Sequence, residues 1–226
     1  MDKATAWLKK SLAYTFADEN LLRQALTHRS VNGPNNERLE FLGDAVLQVI
    51  VSDVVFEQKP DASEGQLSRL RSSVVRDVAL ADVALGLGLG EHLILGSGEK
   101  KSGGHRRDSI LADTLEAIFG AVYLDAGFDA ARQVICTAYG ERLQNMPDGA
   151  DLRDPKSRLQ ELLQGRGLAL PVYAMEKVTG KAHKQSFEVS CAIPELEAKT
   201  VGQGSTRRDA EQEAALVMLN TVGKIE

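Results

Sequence analysis

The sequence predicts an all-α domain followed by a small α+β domain with the element order α-β-β-β-α. Up to about residue 145, apolar side chains recur at helical spacing, and no segment alternates convincingly as a strand does. The next residues carry proline, glycine and acids without periodicity, which is typical of a linker. We therefore predict domains at residues 1–145 and 154–224, joined by a linker at residues 146–153.

Capping and turn residues bound the elements of the first domain. Asp18 can cap one helix, and Ser63 with Gln66 forms a capping box for another. Helices are expected at about residues 4–12, 19–27, 37–56, 66–71, 76–86, 110–118 and 130–143.

In the second domain, three alternating runs are separated by turn residues and flanked by helical segments. This pattern predicts an antiparallel meander between two helices. The helices are expected at residues 156–164 and 206–222, and the strands at 172–178, 186–192 and 197–201.

The composition is that of an ordinary globular protein, with 43% hydrophobic and 26% charged residues. The sequence has no membrane-spanning apolar run and no signal peptide, so we expect a cytoplasmic protein without a membrane partner. Cys136 and Cys191 fall in different predicted domains, and the four histidines lack metal spacing, which excludes a thiolate or zinc site. Because the net charge is −5, nucleic-acid binding would have to depend on local clusters.

The helix that begins near residue 37 concentrates acids on one face. Glu37, Glu40 and Asp44 fall on one stripe at helical spacing, and the opposite face supplies an apolar stripe. That stripe comprises Leu39, Leu42, Val46 and Ile50. A solvated acidic surface is the alternative, and this helix alone does not decide between the two interpretations.

A second helix repeats the pattern. Asp113 and Glu116 share one face, while Leu111, Leu115 and Ile118 form the buried stripe. Two such helices can pack so that their carboxylates converge. Oxygen ligands without cysteine or histidine select a hard cation such as Mg²⁺ or Mn²⁺.

Several motifs resemble those of the ribonuclease III family, and the final ones resemble a double-stranded RNA-binding domain. The resemblance covers essentially the whole chain. The motifs are residues 26–30, 36–44, 64–67 and 110–116 in the first domain, and 180–184 and 202–212 in the second.

The resemblance implies an endonuclease that cuts double-stranded RNA and leaves 5′-phosphate and 3′-hydroxyl ends. It implies that Asp44 and Glu116 are the most critical acids and that Glu37 is an accessory acid. Glu40, Asp44, Asp113 and Glu116 are then the metal ligands, with Mg²⁺ as the expected ion and Mn²⁺ as a substitute. Ribosomal RNA precursors and some messenger and transfer RNAs are the expected substrates.

The resemblance also implies a homodimer, in which Phe41 inserts into the partner and two acid sites cut opposite strands with two-nucleotide 3′ overhangs. In the second domain, it implies RNA contacts from Gln160, His183, Lys184, Arg207 and Arg208. The family usually has two lysines where Arg207 and Arg208 stand. Contacts to 2′-hydroxyls would favour RNA over DNA.

Two other functions are compatible with parts of this pattern. A non-cutting RNA-binding regulator could use the same scaffold, but such a protein would be expected to lack Asp44 or Glu116. A metal phosphohydrolase acting on small nucleotides is disfavoured by the RNA-binding domain and by the absence of a His-Asp metal motif.

Overall fold

The computed structural model describes residues 2–146, 154–180 and 185–222. The chain divides into two compact units, residues 1–152 and 153–226. Residues 147–153, most of the predicted linker, lie outside the described ranges, whereas Met146 is buried in the core of the first unit. The predicted fold class is confirmed: a helical unit precedes one with three strands and two helices.

The first unit is helical wherever the structure describes it, apart from loops, two 3₁₀ turns and one isolated parallel bridge between Thr27 and Ile94. Its helices are α1 (Asp2–Leu12), α2 (Glu19–Ala25), α3 (Glu37–Gln58), α4 (Glu64–Val75), α5 (Asp77–Gly86), α6 (Ser97–Lys101), α7 (Asp108–Tyr139) and α8 (Glu141–Gln144). Leu39, Val46 and Ile50 of the predicted apolar stripe are buried, as are Leu111, Leu115 and Ile118 of the second.

Local chemistry explains where these helices begin and end. The Asp18 side chain accepts a hydrogen bond from the backbone N–H of Asn20 at the start of α2. The Gln66 side chain accepts from the backbone N–H of Ser63 at 2.8 Å, as the predicted capping box requires. Gly127 has a φ of 82° and breaks α7 into two helical parts, and the helices predicted at 110–118 and 130–143 lie on either side of this break.

The second unit packs two helices on one three-stranded antiparallel sheet. Its elements are α9 (Pro155–Gly165), β1 (Val172–Thr179), β2 (Ser186–Ile193), β3 (Ala198–Gly204) and α10 (Arg207–Val222), with strand order β1-β2-β3. A Cβ on Gly202 would lie 2.2 Å from the Ala214 nitrogen, so glycine and alanine allow α10 to approach β3 closely. Leu159, Leu163 and Met218 lie in the core between helices and sheet.

Within the described ranges, none of the helices combines the length and apolarity that a membrane span requires.

Candidate active site and RNA-binding surface

Helices α3 and α7 are in backbone contact where the predicted acids lie. A Cβ on Gly43 would stand 1.8 Å from the carbonyl oxygen of Glu116, and one on Gly120 would stand 2.3 Å from that of Leu39. Because any larger residue would clash with backbone atoms, glycine at both positions is required for this approach. We call this place the α3–α7 contact. This contact places the acids of α3 beside the acids of α7.

The acid cluster comprises Glu40 and Asp44 of α3 with Asp113 and Glu116 of α7. Burial raises the pKa of Glu116 to about 8, and the negative charges of Asp44, Glu40, Asp113 and Asp77 add to this rise. Burial likewise raises the pKa of Glu40, with contributions from Asp113 and Glu37. The structure therefore brings the four predicted acids close enough to repel one another.

This donor set fits a hard divalent cation, because it consists of carboxylate oxygens whose mutual repulsion a cation would relieve. In the part of the chain that the structure describes, however, no three His, Cys, Asp or Glu side chains are grouped closely enough to hold a metal ion. Ligand assembly would therefore need the side chains to move inward while the backbone of the α3–α7 contact stays in place.

Glu37, the predicted accessory acid, has other partners. Its carboxylate lies 3.6 Å from the Arg29 guanidinium and accepts a hydrogen bond from the Asn35 side-chain amide at 3.1 Å. It is exposed at the start of α3, and its charge raises the pKa of the neighbouring Glu40. The structure thus places Glu37 at the edge of the acid cluster, paired with Arg29.

Asp77 is an acid near the cluster that the sequence does not reveal. It is the first residue of α5, which packs against α7, and after burial it is the largest contributor to the raised pKa of Asp113. An acid in the first turn of a helix ordinarily signals favourable interaction with the helix dipole. Nothing in the spacing along the chain indicates that Asp77 faces α7.

Phe41 is exposed on α3, with 81% of its surface accessible in the single chain. Val49 and Phe56, also exposed, continue the same face at helical spacing. Both of these residues line a cavity of about 470 Å³ between α3 and α4, which Leu67 and Arg71 close from the α4 side. An exposed apolar surface of this kind indicates a protein interface.

In the second unit, Gln160 on α9 and Arg207 and Arg208 at the start of α10 are exposed. The two arginines differ in their partners. Arg207 donates to Glu211 at 2.8 Å, and Glu211 also accepts from Lys156 at 2.6 Å. Arg208 has no hydrogen bond or ion pair with any residue in the described ranges. His183 and Lys184 lie outside the described residues.

A helical unit with converging carboxylates, followed by an α-β-β-β-α unit with exposed arginines, has the features of a nuclease joined to an RNA-binding domain. Comparison with known proteins supports this class. Residues 18–143 match the family model described as ribonuclease-III-like, and residues 155–222 match the double-stranded RNA binding motif.

Two similar proteins match this chain over nearly its full length. The chain is 53% identical over 213 residues to Ribonuclease 3 of Methylococcus capsulatus, covering 94% of this chain and 93% of that one. It is 48% identical over 219 residues to Ribonuclease 3 of Aliivibrio fischeri, covering 97% and 98%. A crystal structure of the Ribonuclease III nuclease domain from Campylobacter jejuni matches with a TM-score of 0.61 at 41% identity, covering 64% of this chain and 99% of that one. The chain belongs to the ribonuclease III family and is an endoribonuclease.

Proposed function

We propose that this protein is a divalent-metal-dependent endoribonuclease that hydrolyses phosphodiester bonds in both strands of double-stranded RNA. The observation that carries the proposal is the acid cluster at the α3–α7 contact, where burial and neighbouring acids raise the pKa of Glu116 to about 8. Holding carboxylates together in this way costs stability, and a bound cation would offset that cost. The double-stranded RNA binding motif supports the choice of substrate.

In this proposal Glu40, Asp44, Asp113 and Glu116 hold Mg²⁺, or Mn²⁺ in its place, and Asp44 and Glu116 are the acids most critical for catalysis. When bound there, such an ion would lower the pKa of a water and offset negative charge on the phosphate and the leaving 3′ oxygen. The chain's own contribution is to fix the carboxylates through the α3–α7 contact. Glu37 is an accessory acid that acts beside Glu40. The products are 5′-phosphate and 3′-hydroxyl ends.

The second unit binds the duplex in this proposal. Gln160, His183 and Lys184 contact the minor grooves, where 2′-hydroxyls favour RNA over DNA. Arg207 and Arg208 contact phosphates between those grooves. The exposure of Gln160 and the two arginines supports the proposal. The expected substrates are ribosomal RNA precursors and some messenger and transfer RNAs, processed in the cytoplasm.

The same proposal makes the enzyme a homodimer. Phe41 of each chain would enter the cavity between α3 and α4 of the other, which Val49 and Phe56 border. Support comes from the exposure of Phe41 and from the similar C. jejuni nuclease domain, one structure of which is described as flexible in the region involved in dimer formation. A two-fold dimer would place two acid clusters on one duplex and leave two-nucleotide 3′ overhangs.

Cleavage of a long RNA duplex at low salt, in Mg²⁺ or in EDTA, tests this function. We expect the wild type to cut only with Mg²⁺ and Glu116→Gln to lose cleavage by about a thousandfold or more. Asp129→Asn is the matched control, because Asp129 is an exposed acid of α7 outside the acid cluster. Light scattering on the same samples should give the mass of a dimer.

Tight duplex binding by the wild type without cleavage in Mg²⁺ or Mn²⁺ would instead establish the alternative, a non-cutting RNA-binding regulator. The acid cluster, in which Asp44 and Glu116 are both present, favours the nuclease.

A further inference from the structure

The segment between α2 and α3 is held rigidly although it is not helical. The backbone N–H of Ile94 donates to the Leu26 carbonyl at 2.8 Å, and the backbone N–H of His28 donates to the Ile94 carbonyl at 3.0 Å. From the other side, the backbone N–H of Asn36 donates to the Thr27 carbonyl at 2.9 Å. These bonds fix the backbone that carries His28 relative to the start of α3, as the precise placement of a functional side chain requires.

Hydrogen bonds also fix the tautomer of the His28 ring. The backbone N–H of Ser30 donates to Nδ1 at 3.2 Å, and the Ser30 hydroxyl lies 2.8 Å from the same nitrogen. That hydroxyl oxygen accepts from the backbone N–H of Gly96 at 2.9 Å. The Ser30 N–H needs a lone pair on Nδ1, so the hydroxyl beside it also donates to this nitrogen. Because Nδ1 accepts, the ring carries its proton on Nε2.

Gly96 is essential to this arrangement. A Cβ there would lie 2.3 Å from the carbonyl oxygen of Ser30, so only glycine permits the approach. Nε2 of His28 has no hydrogen-bond partner in the described ranges of the chain. The structure therefore prepares an N–H donor that the described part of the chain does not itself use.

His28 lines a polar cavity of about 400 Å³ that reaches Glu40 and Asp113 of the acid cluster. Its charged lining comprises the carboxylates of Glu37, Glu40, Glu99 and Asp113 and the guanidinium groups of Arg29 and Arg107. Because carboxylates outnumber guanidinium groups, this cavity does not suit a free anion. It suits a phosphodiester whose charge is balanced on the acid side by a divalent cation.

The two arginines of the cavity are not equally available. Arg107 lies 2.9 Å from Glu99, whose side chain is only 19% exposed, so this pair is well held. Arg29 is 71% exposed and lies 3.6 Å from the exposed Glu37, an ion pair of little strength. Arg29 can therefore exchange Glu37 for an incoming phosphate at little cost.

We propose that His28 and Arg29 bind the non-bridging oxygens of an RNA phosphate adjacent to the one that is cleaved. His28 donates through Nε2–H, and Arg29 supplies the positive charge. This inference rests on the proposed nuclease function and adds a substrate-positioning subsite to it. Since Nε2 already carries a proton, His28 acts as a donor and not as a base.

Single-turnover cleavage in Mg²⁺ of synthetic RNA duplexes, each with one neutral methylphosphonate linkage near the cleavage site, tests the contact. We expect one linkage adjacent to the scissile bond to slow the wild type by roughly tenfold, because a hydrogen bond to a charged group is lost. His28→Leu should slow the unmodified duplex similarly. When the His28→Leu variant cuts the duplex with that linkage, the cleavage rate should fall by much less than the product of the two separate reductions.

Conservative and control variants separate a donor from a structural residue. His28→Gln keeps an N–H donor near the position of Nε2 and should retain most of the rate. The effect of Arg29→Ala should likewise be less than multiplicative with that of the linkage that interacts with His28→Leu. Arg23→Ala removes an exposed arginine of α2, and its effect should be independent of every linkage. Ser30→Ala should slow cleavage. Ser30→Thr should cut at nearly the wild-type rate, because threonine keeps the hydroxyl that contacts Nδ1 of His28.

The proposal is overturned if the His28→Leu and methylphosphonate effects multiply at every linkage, or if His28→Gln is as slow as His28→Leu. Melting temperatures of all variants identify any that fold poorly. If His28→Leu is one of them, the Ser30 pair decides: equal rates for Ser30→Ala and Ser30→Thr reject the donor. Failure of the wild type to cut unmodified duplex would contradict the nuclease function instead.

Discussion

The two units position their charged side chains by different means. In the first, backbone contact between α3 and α7 places the acids, and Gly43 and Gly120 leave no room for adjustment. In the second, Arg207 and Arg208 extend from the exposed start of α10. The backbone that carries the acids is fixed before any ligand arrives, and only their side chains must move to hold an ion. The second arrangement depends on long side chains that can change partners.

This difference has an energetic side. Burial, together with repulsion from neighbouring carboxylates, raises the pKa values of Glu116, Glu40 and Asp113, so the surrounding packing must compensate for the cost of ionising them. The arginines of α10 carry no such cost, because Glu211 balances Arg207 and Arg208 is open to solvent. Changes at the α3–α7 contact should therefore abolish activity, and changes on α10 should weaken binding by degrees.

The largest effect is expected from Gly43→Ala. The added Cβ would overlap the Glu116 carbonyl, so the helices must separate, at a cost of about 1–3 kcal/mol or more in the free energy of unfolding. Because separation also spreads the acid cluster, cleavage should fall by more than the loss of folded protein explains. Urea denaturation and single-turnover cleavage measure the two effects.

Gly86→Ala is the matched control, since nothing lies within 4 Å of a Cβ at this position in α5. We expect it to be neutral or to stabilise by about 0.4–1 kcal/mol. Full activity and unchanged stability of Gly43→Ala would contradict the role assigned to the α3–α7 contact.

A smaller effect is expected on the pH dependence of stability without metal. The pKa of Glu116 is about 8 in the fold against an ordinary value of 4.5. The protonated carboxyl therefore contributes stability that is fully present below pH 4.5 and is lost as the pH rises through about 8. In EDTA, Glu116→Gln should have a higher melting temperature than the wild type at high pH. A difference of ~1 kcal/mol in the free energy of unfolding would shift the melting temperature by ~2–4 °C.

Thermal melting followed by Trp7, the single tryptophan, reports on the first unit. The difference between Glu116→Gln and wild type should grow as the pH rises and shrink when Mg²⁺ is added, because Mg²⁺ stabilises only the protein that binds it well. Asp129→Asn should follow the wild type. Parallel curves for wild type and Glu116→Gln at all pH values would disprove the assigned rise in the pKa of Glu116.

Helical periodicity predicts α3 and the first part of α7, their apolar stripes and the acids on their other faces, although it gives α7 as two separate helices. It could not show that Asp77 of α5 adds to the repulsion, because that depends on how α5 packs against α7. Nor could it show the Gly96–Ser30–His28 hydrogen-bond chain, because Gly96 lies 66 residues from Ser30 along the sequence. The resemblance to the family identified Arg207 and Arg208 as a pair, and only the structure distinguishes their partners.

That distinction gives the smallest expected effect. Arg208→Ala should weaken binding of a duplex RNA of about 20 base pairs in EDTA by roughly three- to tenfold and lower the salt slope by nearly one, as expected for one lost phosphate contact. Arg207→Ala should change both quantities less, because the Arg207 guanidinium is engaged by Glu211 at 2.8 Å. Glu211→Gln releases Arg207, so in that background Arg207→Ala should weaken RNA binding more than it does in the wild type. Binding titrations at several salt concentrations measure these slopes, and equal slopes for the two single variants would show that RNA draws Arg207 away from Glu211 as readily as it binds Arg208.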